Sequence, residues 1–546
     1  MKAKNILKRL VAIALSLALL AGCSSSDNEG QNDTQGRKVL NWYALGEVTT
    51  MDSVKSYDTI SGTRLGFFND TLLVLDENEN AQPRLATALP EISEDGLTAT
   101  FTIRDDAYFS NGEHITAENV VYAAQRTVDP ATGSQSAANL EWIKNADEII
   151  AGELPVETLG IKALDEYTIQ IELKAPTPYL NNELTSLNLS PLSRDFVLRQ
   201  GENYALSADA LSSSGPYILK EWSGADISWK YVKNENYWNA ENVYFDEINI
   251  QVVKDMATGI SLYEAGQLDA VPITGEYISL WSDTPDFITI PTLRMINLEM
   301  GISSSDILQN LNVRKALSYA VDRQTMVTDV ANMAGTPAVG MVPDGIATNP
   351  VTGASVAEDF GHQAEYDPRI ALEYWDKALK ELGTDKVTLT LETSDDDESI
   401  KIGTFLQDQF QKALPGLTIE VKNVTSQVRF DDMMSFDFDL ALGGWTGNFD
   451  PTSYVQQHET NFAHNHSQWQ SEELTGLVNA LISEDGNDFR LRWEHLRQAN
   501  QYLIDNQVTI NLYQNAQNFL VNPQLKGYVT HVLGSSAIDV TYAYFE

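Results

Sequence analysis

Residues 387–421 read VTLTLETSDDDESIKIGTFLQDQFQKALPGLTIEV. Val387, Leu389 and Leu391 alternate with polar residues, which predicts a strand with one buried face. Ile402, Phe405, Leu406, Phe410 and Ala413 then recur at helical spacing, and Pro415-Gly416 stops that helix. Leu417–Val421 returns to strand character. Upstream, Asp367-Pro368 gives an N-cap followed by proline at the first helical position. The apolar face of that helix is Ala371, Tyr374, Trp375, Ala378, Leu379 and Leu382. Downstream, Phe436–Leu442 reads as a further strand. This order predicts an α/β domain built on a largely parallel sheet. The acidic run Asp395-Asp396-Asp397-Glu398 sits where carboxylates favour a helix N-terminus; a metal site is the sharper alternative.

Further out the pattern stays mixed. Val313, Ala316, Leu317, Ala320 and Val321 are at helical spacing. Leu97, Ala99, Phe101 and Ile103 alternate as in a half-buried strand, as do Tyr167, Ile169, Ile171 and Leu173. Ile227, Trp229 and Tyr231, and then Ile248, Ile250 and Val252, repeat that pattern. Thr116 reads as the N-cap of a helix carrying Val120, Val121 and Ala124.

The start of the chain has another logic. Lys2, Lys4, Lys8 and Arg9 precede an apolar stretch, Leu10 to Leu20, and then Leu20-Ala21-Gly22-Cys23. That is the order of a secretory signal, residues 1–22, and the stretch is too short to span a bilayer as a mature helix. Cys23 is the only cysteine. The run resembles a bacterial lipobox, which implies lipidation at Cys23. Residues 24–37 are polar and lack periodicity, so 23–37 reads as a lipidated cysteine and flexible tether.

The formal charge of −41 argues against nucleic acid, whose phosphates would repel the chain. It also excludes membrane attachment through a basic patch, so the lipid must hold the protein. With Cys23 acylated, disulfides, thiolate catalysis and cysteine-ligated metals drop out. There is no P-loop, Rossmann fingerprint, HExxH or GxSxG. His458, His464 and His466 could surround a metal, but a hydrogen-bonded loop explains them with fewer assumptions. No cofactor is expected. Gly443 to Pro451 (GGWTGNFDP) is the segment with binding chemistry: glycines admit a ligand to the backbone, Trp445 offers a flat wall, and Asn448 and Asp450 accept hydrogen bonds. A tight turn is the plainer reading of the same residues.

Four segments together resemble the peptide-binding lipoproteins of ABC importers, the oligopeptide/dipeptide solute-binding family. They are PRLATALPEISEDGLTATFTIRDDAYFSNGEHITAENVVYAAQRTVDP (83–130), SSSGPYILKEW (212–222), NVRKALSYAVDRQTMV (312–327) and GGWTGNFDP itself. Leu89 stands where the family usually has tryptophan, and Ala99 where it has an aromatic. The resemblance implies an α/β, two-lobed periplasmic-binding-protein-like fold with an additional small α+β domain in lobe one. Lobe one would take 38–83, 205–300 and 515–546, the extra domain 84–204, and lobe two 301–514. Crossings near 300 and near 515 would form a hinge.

It further implies a monomeric receptor that captures peptides as extended chains and passes them to ABC permease and ATPase subunits. Its place would be the extracellular face of a bacterial cell membrane, and the lipobox and tether suit a Gram-positive surface. By position, Tyr57, Thr59 and Ile60 match the ligand segment of lobe one, Gly444, Trp445 and Thr446 the lobe-two backbone contacts, and Tyr513 an aromatic near the second crossing. The family usually places an aspartate three residues after the loop tryptophan, paired with the peptide α-ammonium. Here that residue is Asn448, and Asp450 is the expected substitute. The same fold with a metal chelate, haem or oligosaccharide is the alternative; a surface hydrolase and an adhesin are more distant ones.

Overall fold

The structure is a computed structural model that describes residues 38–330, 335–485, 488–533 and 536–546. The signal, Cys23 and the tether lie outside the described residues. Three sheets organise the rest. The first contains β1 (Val39–Ala44), β6 (Tyr217–Lys220), β7 (Ser228–Lys233) and β8 (Glu247–Val252), in the order β1-β8-β7-β6. Only β1–β8 is a parallel pair. Alternate side chains (Leu40 and Trp42, Trp229 and Tyr231, Ile248 and Ile250) point into one core, as period-two patterning requires. Near β1 lies the short helix α1 (Thr59–Leu65).

The second sheet is antiparallel and belongs to the extra domain. It contains β2 (Glu91–Ile92), β3 (Thr98–Thr102), β4 (Ile161–Ala163) and β5 (Thr168–Glu172), ordered β2-β3-β5-β4. Helix α2 (Ala117–Val128) buries Val120, Val121 and Ala124 in a core shared with Ala99, Phe101, Ile169 and Ile171. Thr116 is its N-cap, and its N–H donates to Asn119 Oδ1 at 2.8 Å. The turn α3 (Leu180–Glu183) belongs to the same region, with Leu180 in that core.

The third sheet has seven strands. It contains β9 (Ala270–Ile273), β10 (Phe287–Met300), β11 (Val387–Ser394), β12 (Leu417–Val424), β13 (Leu440–Thr446) and β14 (Ile510–Val521), ordered β9-β14-β10-β13-β11-β12, with Thr336–Pro337 beside β14. Helix α4 (Pro368–Leu382) starts on Asp367, which accepts from Arg369 N–H at 2.9 Å. Helix α5 (Asp397–Ala413) crosses from β11 to β12, and α6 (Ser426–Ser435) leads from β12 to β13. The expected parallel sheet is only partly present. β11 pairs in parallel with β12 and β13, whereas β9, β10, β13 and β14 pair antiparallel. The antiparallel partners β10 and β14 arrive from outside the segment whose rhythm suggested a parallel sheet. The last strand also starts later than its pattern suggested, because Phe436 takes a left-handed φ of 63° to end α6.

β10 and β14 are long enough to serve two cores. Ile290 and Phe519 pack with the β1–β8 sheet, while Met295, Leu298, Leu512 and Tyr513 pack with α4, α5 and β11. Their ladder slips between Pro291 and Met295 and again between Ile296 and Asn297. Such bulges bend and twist a strand pair locally. They fall where the strands pass from one core to the other.

Candidate functional site

A cavity of about 650 Å³ opens where three parts of the chain face one another. Residues between Ser53 and Gly62, between Ala138 and Trp142, and between Tyr179 and Asn188 line it together with Gly447, Asn448 and Phe449; Leu293 of β10 and Leu533 complete the wall. Its charged lining residues are Asp58, Glu141 and Glu183, with no lysine, arginine or histidine among them.

These carboxylates differ in what already holds them. Asp58 is the N-cap of α1: it accepts from Ser61 N–H at 2.8 Å and Ser61 Oγ at 2.7 Å, and from the Thr49 hydroxyl. Burial works to raise its pKa, but these hydrogen bonds together hold it below the ordinary value. Glu141 is exposed. Glu183 is half-buried, and that burial pushes its carboxyl up to about 7 against the lowering influence of Trp142. No basic side chain forms an ion pair with it among the described residues. Tyr179, one turn back, is raised to about 12, by burial first and then by the charges of Asp450 and Glu183.

Beside the cavity runs β13. Residues 440–446 pair with Met300–Arg294 of β10 along one edge. Along the other, β11 pairs only with Leu440 and Ala441. From Leu442 onward that second edge carries no strand among the described residues. Arg429 of α6 donates from Nη1 to the Leu442 carbonyl there. In a strand, the N–H and C=O of one residue point to the same edge and alternate along the chain. Gly444 and Thr446 therefore turn both backbone groups to the bare edge. The two glycines keep the strand flat against its neighbours: a Cβ on Gly443 would stand 2.9 Å from Asn297 Oδ1, and one on Gly444 2.8 Å from Arg294 Nη2. Gly443-Gly444 is thus strand rather than loop. Beneath it, Glu299 is buried, accepts from Asn297 Nδ2 at 2.9 Å and Gln457 Nε2 at 3.2 Å, and is raised by burial to about 7.

The residues singled out from sequence fall into separate groups. Tyr57 is 57% exposed and lines the cavity with Thr59. Ile60 lies in a smaller adjoining pocket with Thr59, Pro291 and Thr292, against the bulged part of β10. Gly444 and Thr446 face the bare edge, and Trp445 between them faces β10 with its backbone groups. Trp445 meets Phe462 edge-on and His464 at a tilt, with its indole N–H buried and unpartnered among the described residues. Asn448 lines the cavity and its Oδ1 accepts from Asp450 N–H at 2.9 Å.

Two of the expected ligand residues have partners within the protein in this structure. Asp450 is not available to a ligand cation: both its oxygens lie 2.7 Å from Arg492 Nη2, and Oδ1 also accepts from Thr452 N–H at 2.9 Å. Tyr513 is not a cavity wall: it is 1% exposed, and its hydroxyl donates to Glu398 Oε1 at 3.0 Å. The acidic run caps α5, with Asp396 accepting from Ser399 N–H at 2.9 Å. His458 and His466 are held far below the ordinary histidine value by burial, to about 3 and about 4. No group of metal-binding residues occurs among the described residues. Sequence reasoning did not find Trp142, Tyr179, Glu183, Arg294 or Arg429, none of which stands in a motif.

Two lobes joined by paired crossover strands, an extra domain on the first lobe and a cavity between them define a two-lobed solute-binding protein of the periplasmic-binding type. Residues 80–465 match the family model for bacterial extracellular solute-binding proteins, family 5. The chain belongs to that family. It is 30% identical to a dipeptide-binding protein of Lactococcus lactis subsp. cremoris over the full length of both chains. Among solved structures it resembles Listeria monocytogenes OppA bound to peptide (30% identity, 93% of this chain and 99% of that one, TM-score 0.67) and the pheromone receptor PrgZ (34% identity, 93% and 100%, TM-score 0.69).

Proposed function

We propose that this protein captures peptides between its lobes and delivers them to the permease of an ABC importer, moored outside the cell by a lipid on Cys23. The observation that carries the reading is the bare edge of β13, opening beside the cavity between the lobes. An extended peptide added to that edge gains main-chain hydrogen bonds that do not depend on its side chains. The names of the relatives point the same way, toward dipeptides, oligopeptides and a peptide pheromone. A ligand touching both lobes favours their closure, and the closed form is what a permease would recognise.

Tyr57, Thr59 and Ile60 would face the ligand from lobe one, and Gly444, Trp445 and Thr446 from lobe two. Asn448 would orient the turn that ends the edge. Native mass spectrometry of the purified chain tests the reading. Co-purified peptides give a spread of masses above the chain, and a mixed peptide pool restores that spread after stripping. Discrete increments common to all molecules would instead favour a sugar, haem or metal chelate.

A further inference from the structure

We infer that Glu183, on the extra domain, is the counter-charge for an ammonium group of the bound ligand. The inference rests on the peptide reading and sharpens it. A peptide brings at least one ammonium into a site that removes it from water, and a buried charge needs an opposite charge. The cavity has three carboxylates and no base. Asp58 is already satisfied as the cap of α1. Glu141 is exposed and remains hydrated. Asp450 is committed to Arg492.

Of the three cavity carboxylates, Glu183 alone is half-buried without either a capping role or a cationic partner among the described residues. Its carboxyl is raised to about 7 by that burial. An incoming ammonium relieves the cost by stabilising the ionised form. The neutral side chain at Asn448 fits this arrangement, since a charge from the extra domain makes a second one on the lobe-two turn unnecessary. The ammonium has two possible sources, the peptide N-terminus or a lysine side chain.

The test uses the mature chain and Glu183→Gln, with random tetrapeptide pools and capture measured by mass spectrometry. One pool has free N-termini and no Lys, Arg or His. The second is the same pool N-acetylated. The third is N-acetylated with one lysine per peptide. The wild type should capture the first or the third pool in preference to the second. Preference for the first identifies the N-terminus, and preference for the third identifies the lysine side chain.

Glu183→Gln should weaken the preferred pool by at least about tenfold while leaving the second pool unchanged, which also reports an intact fold. If Gln disturbs folding, Glu183→Met must give the same loss. A variant that keeps the wild-type preference overturns the role of Glu183. A wild type that captures none of the pools overturns the peptide reading itself.

Discussion

Asp450 and Arg492 lie 42 positions apart, yet the guanidinium nitrogen sits 2.7 Å from both carboxylate oxygens and 2.7 Å from Thr452 Oγ1. With both side chains mostly buried, the pair fastens the turn after β13 to the helix Phe489–Asn506. Asp450→Ala should therefore cost stability, about 2 kcal/mol, and leave the preference between free and N-acetylated peptides as it was. Arg492→Ala should cost a similar amount, and the double variant little more than either alone; additive losses in denaturant titrations would show that the two do not act together. Glu299 makes a pH prediction. Its pKa rises from 4.5 to about 7 on folding, so the folded state holds the proton more tightly than the unfolded one. That contribution is complete below the unfolded value, is lost as pH climbs through the folded value, and is flat above it. Glu299→Gln should thus be more stable than wild type near pH 8, on the order of 3 kcal/mol, with the gap closing towards pH 4. Little of this was visible in the sequence. Seventy-seven acidic residues give no local mark to the three that line the cavity, or to the one that meets Arg492.

At the scale of elements, composition and spacing reveal more. The caps at Thr116 and Asp367, the faces of α4 and α5, and strands β3, β5, β7, β8, β11 and β12 all follow from local periodicity, because each depends on residues within a turn or two. Pairing does not. β10 and β14 are joined through residues more than 200 positions apart, and nothing local announces which edges meet. The glycines of β13 read as a loop for the same reason: the neighbours that demand a bare backbone, Asn297 and Arg294, are remote in sequence. The open edge makes a sharp prediction. Thr446 turns its N–H away from β10, so Thr446→Pro should keep the fold, as proline does on exposed edges, yet bind peptide about tenfold more weakly for want of that donor. Trp445 is in register with Met295 on the paired side, and Trp445→Pro should fail to fold. Equal peptide affinity for Thr446→Pro and wild type, by calorimetry, would remove the edge from the site.

For the whole molecule, the slipped ladder of β10 and β14, which bends where the two cores are connected, is where we propose that the hinge lies. A peptide pool should lower the radius of gyration measured by X-ray scattering, and the change should vanish with Thr446→Pro at the same concentration. Cys23→Ser should release the protein into the medium with its binding intact.

The unfilled side of β13 has a cost as well as a use. Unpaired strand edges invite any extended chain, including a second copy of the same protein, and runs of such contacts grow into fibrils. Here that edge runs into a turn whose Gly447, Asn448 and Phe449 line the cavity. On the peptide reading, the chain that would suit it is thin and extended. An edge left open for a ligand thus bears equally on whether a second copy can pair there.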